Sequence, residues 1–214
     1  MSDKHLFVFG GGAPFNESLA KKFGAWASKG LSKVVILFIE QEGWQEYMTK
    51  YTDQIGLHDV DQFVYFALDA SPSTDLVEQL QSATGVIISG GDTELYRDYI
   101  VETKLGTIIK ALYTEGVPVA GFSAGALISP TVCVIPPIDN RANEHLFLKG
   151  LGLINHCVIS VHFSKWDEEK NLLAALSKTN LSTGYGIDDA SGIYFKNERI
   201  SETAGQIYFY YGKE

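Results

Sequence analysis

Gly121-Phe122-Ser123-Ala124-Gly125 sets a serine between two glycines, each two residues away, behind the apolar Val117-Pro118-Val119-Ala120 and ahead of Ala126-Leu127-Ile128. This is the G-x-S-x-G pattern of a nucleophile elbow, a sharp strand-to-helix turn that holds a serine in a strained backbone conformation at the carboxyl edge of a sheet. Side chains two residues to either side would collide in such a turn, which accounts for the glycines, and Ala124 is small for the same reason. The chemistry is acyl transfer. Ser123 attacks a carbonyl, and the backbone N–H of Ala124, close to the positive end of the following helix, faces the oxyanion that develops.

A serine hydroxyl is a weak nucleophile without a base, and histidine is the usual base near neutral pH. Of the five histidines, His5 and His58 precede the sheet segments that build a cleft, and His145 lies in a polar loop. His156 begins a strand whose far end carries His162, where α/β sites gather, so His162 is the expected base. Gly90-Gly91-Asp92-Thr93 follows another apolar strand and opens a helix. Its free N–H groups suit an oxyanion hole or a substrate carboxylate, with Gly91 the expected second donor beside Ala124. Asp92 is either a cap of that turn or a substrate contact. Gly10-Gly11-Gly12 resembles a phosphate loop only superficially: Phe15 stands where a G-x-G-x-x-G motif needs its last glycine, and no Walker lysine follows. No H-E-x-x-H or C-x-x-C spacing exists, and adjacent His156 and Cys157 would point to opposite faces of a strand, so neither a metal nor a cofactor is expected.

The elements that must hold these groups alternate. Short apolar runs (HLFVFG, KVVILFI, QFVYFAL, GVIISGG, VPVAGF) are separated by amphipathic stretches over 16–27, 43–55, 73–82 and 104–113. That rhythm predicts βαβ units and an α/β fold with a doubly wound, mainly parallel sheet. After Ala126 the pattern breaks at Pro130, Pro136 and Pro137, and the polar segment 136–152 reads as a loop bordering the cleft. Order returns with HCVISVHF, a helix over 165–177 in which Ser164 and Asp167 could form a capping box, and the strand-like GYGI, GIYF and QIYFYY.

The 214 residues suit one domain over 1–214. A net charge of -9 without any basic run disfavours nucleic acid and anionic lipid as partners. The longest apolar stretch, 34–39, is far shorter than the roughly 20 residues that cross a bilayer, and the amino-terminal run lacks the apolar core of a signal peptide. Cys133 and Cys157, each in a β-branched segment, are expected as reduced core residues in a cytoplasmic protein. A homodimer is compatible with the sequence.

Taken as a set, GFSAGALI, SGGDTELY, VHFSKW and GYGIDD, in this order from Leu6 to Tyr211, resemble the serine peptidase family that contains peptidase E, an aspartyl dipeptidase, and cyanophycinase. The resemblance implies a flavodoxin-like sheet, similar to class I glutamine amidotransferases with serine in place of cysteine. It also implies cofactor-free hydrolysis of amide bonds in small peptides by Ser123 and His162, with oxyanion donors near Gly91 and Ala124. The family places an acidic residue between serine and histidine, where this chain has Asp139 and Glu144; Asp139 is the expected third member, with Glu144 and Asp188 as alternatives. The characterised peptidases carry an arginine after the His-Phe pair, whereas this chain reads Phe163-Ser164-Lys165-Trp166. Lys165 supplies charge to a substrate carboxylate but not a bidentate fork, so a preference for amino-terminal aspartate should be modest or lost. Two other readings remain: an α/β-hydrolase esterase, disfavoured because no histidine follows His162, and a non-catalytic small-molecule-binding module with a vestigial elbow.

Overall fold

In the computed structural model, which describes residues 2–28, 30–58 and 60–212, the apolar runs become strands and the amphipathic stretches helices. The chain order is β1 (His5–Phe9), α1 (Glu17–Ala27), β2 (Lys33–Phe38), α2 (Trp44–Thr52), β3 (Gln62–Ala67), α3 (Thr74–Gln81), β4 (Gly85–Ile88) and α4 (Thr93–Tyr96), which continues as a π-helical turn. Then come α5 (Lys104–Glu115), β5 (Val119–Phe122), α6 (Ala124–Leu127), β6 (Val132–Ile135), β7 (Leu146–Lys149), β8 (Cys157–Ser160), α7 (Glu169–Thr179), β9 (Thr183–Ile187), β10 (Gly192–Lys196), β11 (Arg199–Ala204) and β12 (Ile207–Tyr211).

The central sheet has seven strands in the order β11-β10-β1-β5-β4-β2-β3. Its β1, β5, β4, β2 and β3 run parallel, and β10 and β11 add an antiparallel edge. Successive strand residues serve opposite faces. Phe7, Phe9, Ile36, Phe38 and Phe122 pack with Phe15, Leu19, Phe23, Met48 and Tyr51 from α1, α2 and the loop before α1. Leu6, Val8, Val35, Leu37 and Ile88 pack on the other face with Leu76 and Leu80 of α3 and Leu105, Ile109 and Leu112 of α5. Both faces are therefore covered, which is why these strands are apolar throughout and not alternating.

Local chemistry sets the helix boundaries. The Asn16 side chain caps α1 through Ser18 N at 3.1 Å, Ser73 caps α3 through Leu76 N at 3.1 Å, and Gly116 closes α5 in the left-handed region. Caps of this kind contribute about 1 kcal/mol each. Cys133 and Cys157 are buried and free, with burial pushing both thiols up to about 12.

The fold differs from the sequence expectation in two places. The polar segment 136–152 is not all loop, because β7 pairs antiparallel with β6 from Val132↔Lys149 to Ile135↔Leu146. The helix expected from Lys165 begins at Glu169. Ser164 does not cap it, since its N–H and hydroxyl both donate to Asp188, at 2.8 and 3.0 Å, and 164–168 is spent on turns. Among the described residues no helix is long and apolar enough to cross a membrane.

Candidate active site

β5 ends at Phe122, and the chain turns at once into α6, leaving Ser123 with φ 47 and ψ -105. A β-carbon on Gly121 would lie 2.5 Å from the carbonyl carbon of Gly125 and 2.8 Å from Ala126 N. The turn therefore cannot accept any larger residue there without shifting backbone, which is the steric demand expected of an elbow. Two bonds hold the strained serine, Ser123 N–H to Phe9 O at 3.0 Å and Leu127 N–H to Ser123 O at 3.0 Å. Such strain persists only where the surroundings over-determine it.

His162 reaches the serine from a different sheet. β8, β9 and β12 form a three-stranded sheet beside the central one. Beyond β8 the chain folds back so that His162 N–H donates to Gly10 O at 2.9 Å and Phe163 N–H to Ile187 O at 3.2 Å. His162, itself at φ 48, is thereby clamped between the ends of β1 and β9. Its Nε2 lies 2.9 Å from Ser123 Oγ, and the Trp166 ring leans on the imidazole at 4.3 Å between centroids.

The other imidazole nitrogen, Nδ1, meets the carboxylate of Asp189. The carboxylate in contact with His162 is therefore not that of Asp139, the expected third member. Asp139 accepts a hydrogen bond from Thr93 Oγ1 at 2.6 Å instead, and burial raises its carboxyl above the usual carboxylate range despite that bond. Glu144 is exposed in the loop before β7, exchanging hydrogen bonds with Asn140. Asp188 binds Ser164 and so fixes the loop that carries His162. Burial raises the Asp189 carboxyl, but the hydrogen bonds and charges of His162 and Lys165 together outweigh it and hold the group below the ordinary range. Lys165 Nζ sits 3.4 Å from Asp189 Oδ2, so its charge is directed at that carboxylate.

The Gly90-Gly91 turn runs beside the serine: a β-carbon on Gly90 would lie 3.3 Å from Ser123 Cβ. Asp92 caps α4 through Leu95 N at 3.1 Å, the structural one of its two expected roles. Among the described residues no group of three or more His, Cys, Asp or Glu side chains is arranged to hold a metal ion.

A mainly parallel α/β sheet, a strained serine at a strand end and an imidazole within hydrogen-bond reach are the arrangement on which α/β serine hydrolases are built. The chain belongs to peptidase family S51, whose model matches residues 6–203. It is 26% identical over 140 residues to the uncharacterized peptidase YgaJ of Bacillus subtilis (strain 168), covering 65% of this chain and 59% of that one. It is 24% identical over 156 residues to a cyanophycinase of Synechococcus elongatus, covering 71% of this chain and 48% of that one. The chain thus spans about half the length of the curated relatives it matches. Among solved structures, a peptidase from an acI-B1 Actinobacterium superposes with TM-score 0.73 at 18% identity, covering 99% of this chain and 95% of that one. A candidate peptidase E from Listeria monocytogenes EGD-e gives TM-score 0.66 at 15% identity, covering 95% and 98%. These two share the fold.

Proposed function

We propose that the protein hydrolyses amide bonds of small peptides through an acyl-enzyme, with Ser123 as nucleophile, His162 as general base and then acid, and Asp189 as the carboxylate that orients the imidazole. The observation that carries this reading is the unbroken relay from Ser123 Oγ, 2.9 Å from His162 Nε2, to Asp189 on Nδ1. His162 takes the hydroxyl proton as Oγ bonds to the carbonyl carbon, and the oxygen becomes an oxyanion facing Gly91 and Ala124 N–H. The C–N bond then breaks as His162 returns the proton to the leaving amine. Water deprotonated by His162 attacks the ester, the proton passes to Ser123 Oγ, and the acid is released.

The leaving amine must lie on the His162 side, towards β1, so the acyl residue lies on the other side, towards β4 and β2. There a cavity of about 410 Å³ is lined by Gln41, Glu42, Trp44, Glu46, Tyr47, Lys50 and Gly90, among others. It fits one or two side chains and not an extended chain. Two glutamates against one lysine, and no arginine, give no surplus of positive charge, which supports a weak preference for an acidic acyl residue. The test is kcat/KM for Asp-Leu, Glu-Leu and Ala-Leu, with casein as a large substrate, in wild type and Ser123→Ala. Turnover of dipeptides with less than tenfold discrimination, abolished by Ser123→Ala, is expected. Efficient casein cleavage, or a strong preference for Asp-Leu, would overturn the substrate reading, and an active Ser123→Ala would overturn the mechanism.

A further inference from the structure

Two tyrosines with no accessible surface, Tyr51 of α2 and Tyr96 of α4, bring their hydroxyls to a single glycine beside the nucleophile. Gly90 N–H donates to Tyr51 OH at 3.2 Å, and Tyr96 OH donates to Gly90 O at 3.2 Å. The Tyr96 oxygen also accepts from Ile39 N–H at 3.0 Å and lies 2.5 Å from Ser89 Oγ. With Ser89 as donor in that last contact, the phenol oxygen accepts two hydrogen bonds and gives one, which fills its capacity. The proton of Tyr96 is then committed to Gly90 O. Tyr51 is also tied to the elbow, since its ring packs edge-on against Phe122 at 4.8 Å between centroids.

Gly90 O and Gly91 N–H belong to one peptide plane and, in a trans peptide, point in opposite directions. Holding the oxygen on Tyr96 therefore turns the Gly91 N–H the opposite way, away from the buried phenol. Gly91 itself has φ 152, which a side chain would resist, so the turn is free to take the orientation the tyrosines impose. We propose that Tyr96 and Tyr51 are positioning residues: Tyr96, through Gly90 O, sets the plane of the Gly90-Gly91 peptide, and Tyr51, through Gly90 N–H, holds the preceding Ser89-Gly90 peptide, so that together they aim the Gly91 N–H at the oxyanion. The inference rests on the oxyanion reading above and adds what fixes the donor. Burial pushes both phenols up, Tyr96 to about 12, so both keep their protons across the working range of pH. An oxyanion donor acts through its alignment before reaction, so a turn free to rock loses transition-state stabilisation while substrate binding is untouched.

The experiment uses Tyr96→Phe and Tyr51→Phe, each of which keeps the ring and removes only the hydroxyl. Three quantities are read: kcat and KM for the best dipeptide of the panel, the second-order rate of labelling by a fluorophosphonate, and the rate ratio of p-nitrophenyl acetate to its thionoacetate. The expected result is a fall in kcat and in labelling rate of about ten- to a hundredfold, short of the full loss of one donor. KM should stay within about twofold, and the ester-to-thionoester ratio should shrink, because sulfur accepts hydrogen bonds poorly and the variant has less to lose. A merely structural role would lower the unfolding temperature and leave kcat, labelling rate and ratio of the folded protein at wild-type values, which would overturn the proposal. Should Tyr96→Phe not fold, for lack of a partner for Ile39 N–H and Ser89, Tyr51→Phe decides alone. If Ser123→Ala is inactive while both folded tyrosine variants behave as wild type, this inference fails and the mechanism stands; if Ser123→Ala is active, the mechanism itself fails.

Discussion

Replacing Asp189 with asparagine keeps the volume of the side chain and removes its charge. The amide can turn an N–H toward His162 Nδ1, which favours the tautomer with its proton on Nε2, facing Ser123, where it cannot act as a base. The imidazolium formed during attack also loses its counter-charge. Where the orienting carboxylate is fully buried, this change lowers turnover by about 10⁴. The Asp189 side chain is 47% exposed and has Lys165 at 3.4 Å, so water and the ammonium already weaken its field at the imidazole. The expected loss is accordingly smaller, about 10²- to 10³-fold in kcat. Asp139→Asn is the matched control. Thr93 Oγ1 can still donate to the asparagine oxygen, and only the longer-range attraction between Asp139 and His162 is lost. A change of less than about tenfold is expected. The assay is steady-state dipeptide hydrolysis by both variants, with far-UV circular dichroism to check folding. A crippled Asp139→Asn beside a near-normal Asp189→Asn would refute the reasoning and return Asp139 to the third position.

Lys165→Ala should change kcat/KM by less than about threefold, because an exposed pair contributes little; a larger loss confined to acidic dipeptides would make Lys165 a substrate contact. Gly121→Ala should destabilise by at least about 1–3 kcal/mol in urea unfolding, since its β-carbon meets the backbone of the elbow, and an unchanged midpoint would contradict that geometry. Glu168 is buried, and burial raises its carboxyl above the ordinary 4.5 against the opposing bonds from Asn171 and Ser160. The folded state therefore binds its proton more tightly than the unfolded chain. The charged form costs stability above the folded value, and that cost is absent below 4.5. Glu168→Gln should raise the thermal midpoint at pH 8 and leave it nearly unchanged at pH 4; a greater gain at pH 4 would reverse the sign.

The parallel sheet was legible because its strands are continuous apolar runs and α1, α3 and α5 carry side-chain caps, both local signals. The elbow was legible for the same reason: five consecutive residues contain the steric argument. Asp189 was not, because the contact joins residues 27 positions apart and runs forward from the histidine, whereas the family resemblance directs attention to the segment before it. GIDD signalled an acidic pair at a strand end, but which of two adjacent aspartates faces the imidazole is decided by where β9 stops, at Ile187, and by the claim of Ser164 on Asp188. The same claim hid the true start of α7, since Ser164 looks like a cap until its partner is known. β7 escaped notice because a short strand flanked by polar residues has no pattern of its own and forms only by pairing with β6.

The most direct test of the account is to label the protein with a fluorophosphonate and map the adduct by peptide mass spectrometry, in wild type and His162→Ala. A single adduct on Ser123, formed at least about a hundredfold more slowly without the imidazole, is the predicted result. An adduct on another residue, or labelling of Ser123 at an unchanged rate in His162→Ala, would contradict it.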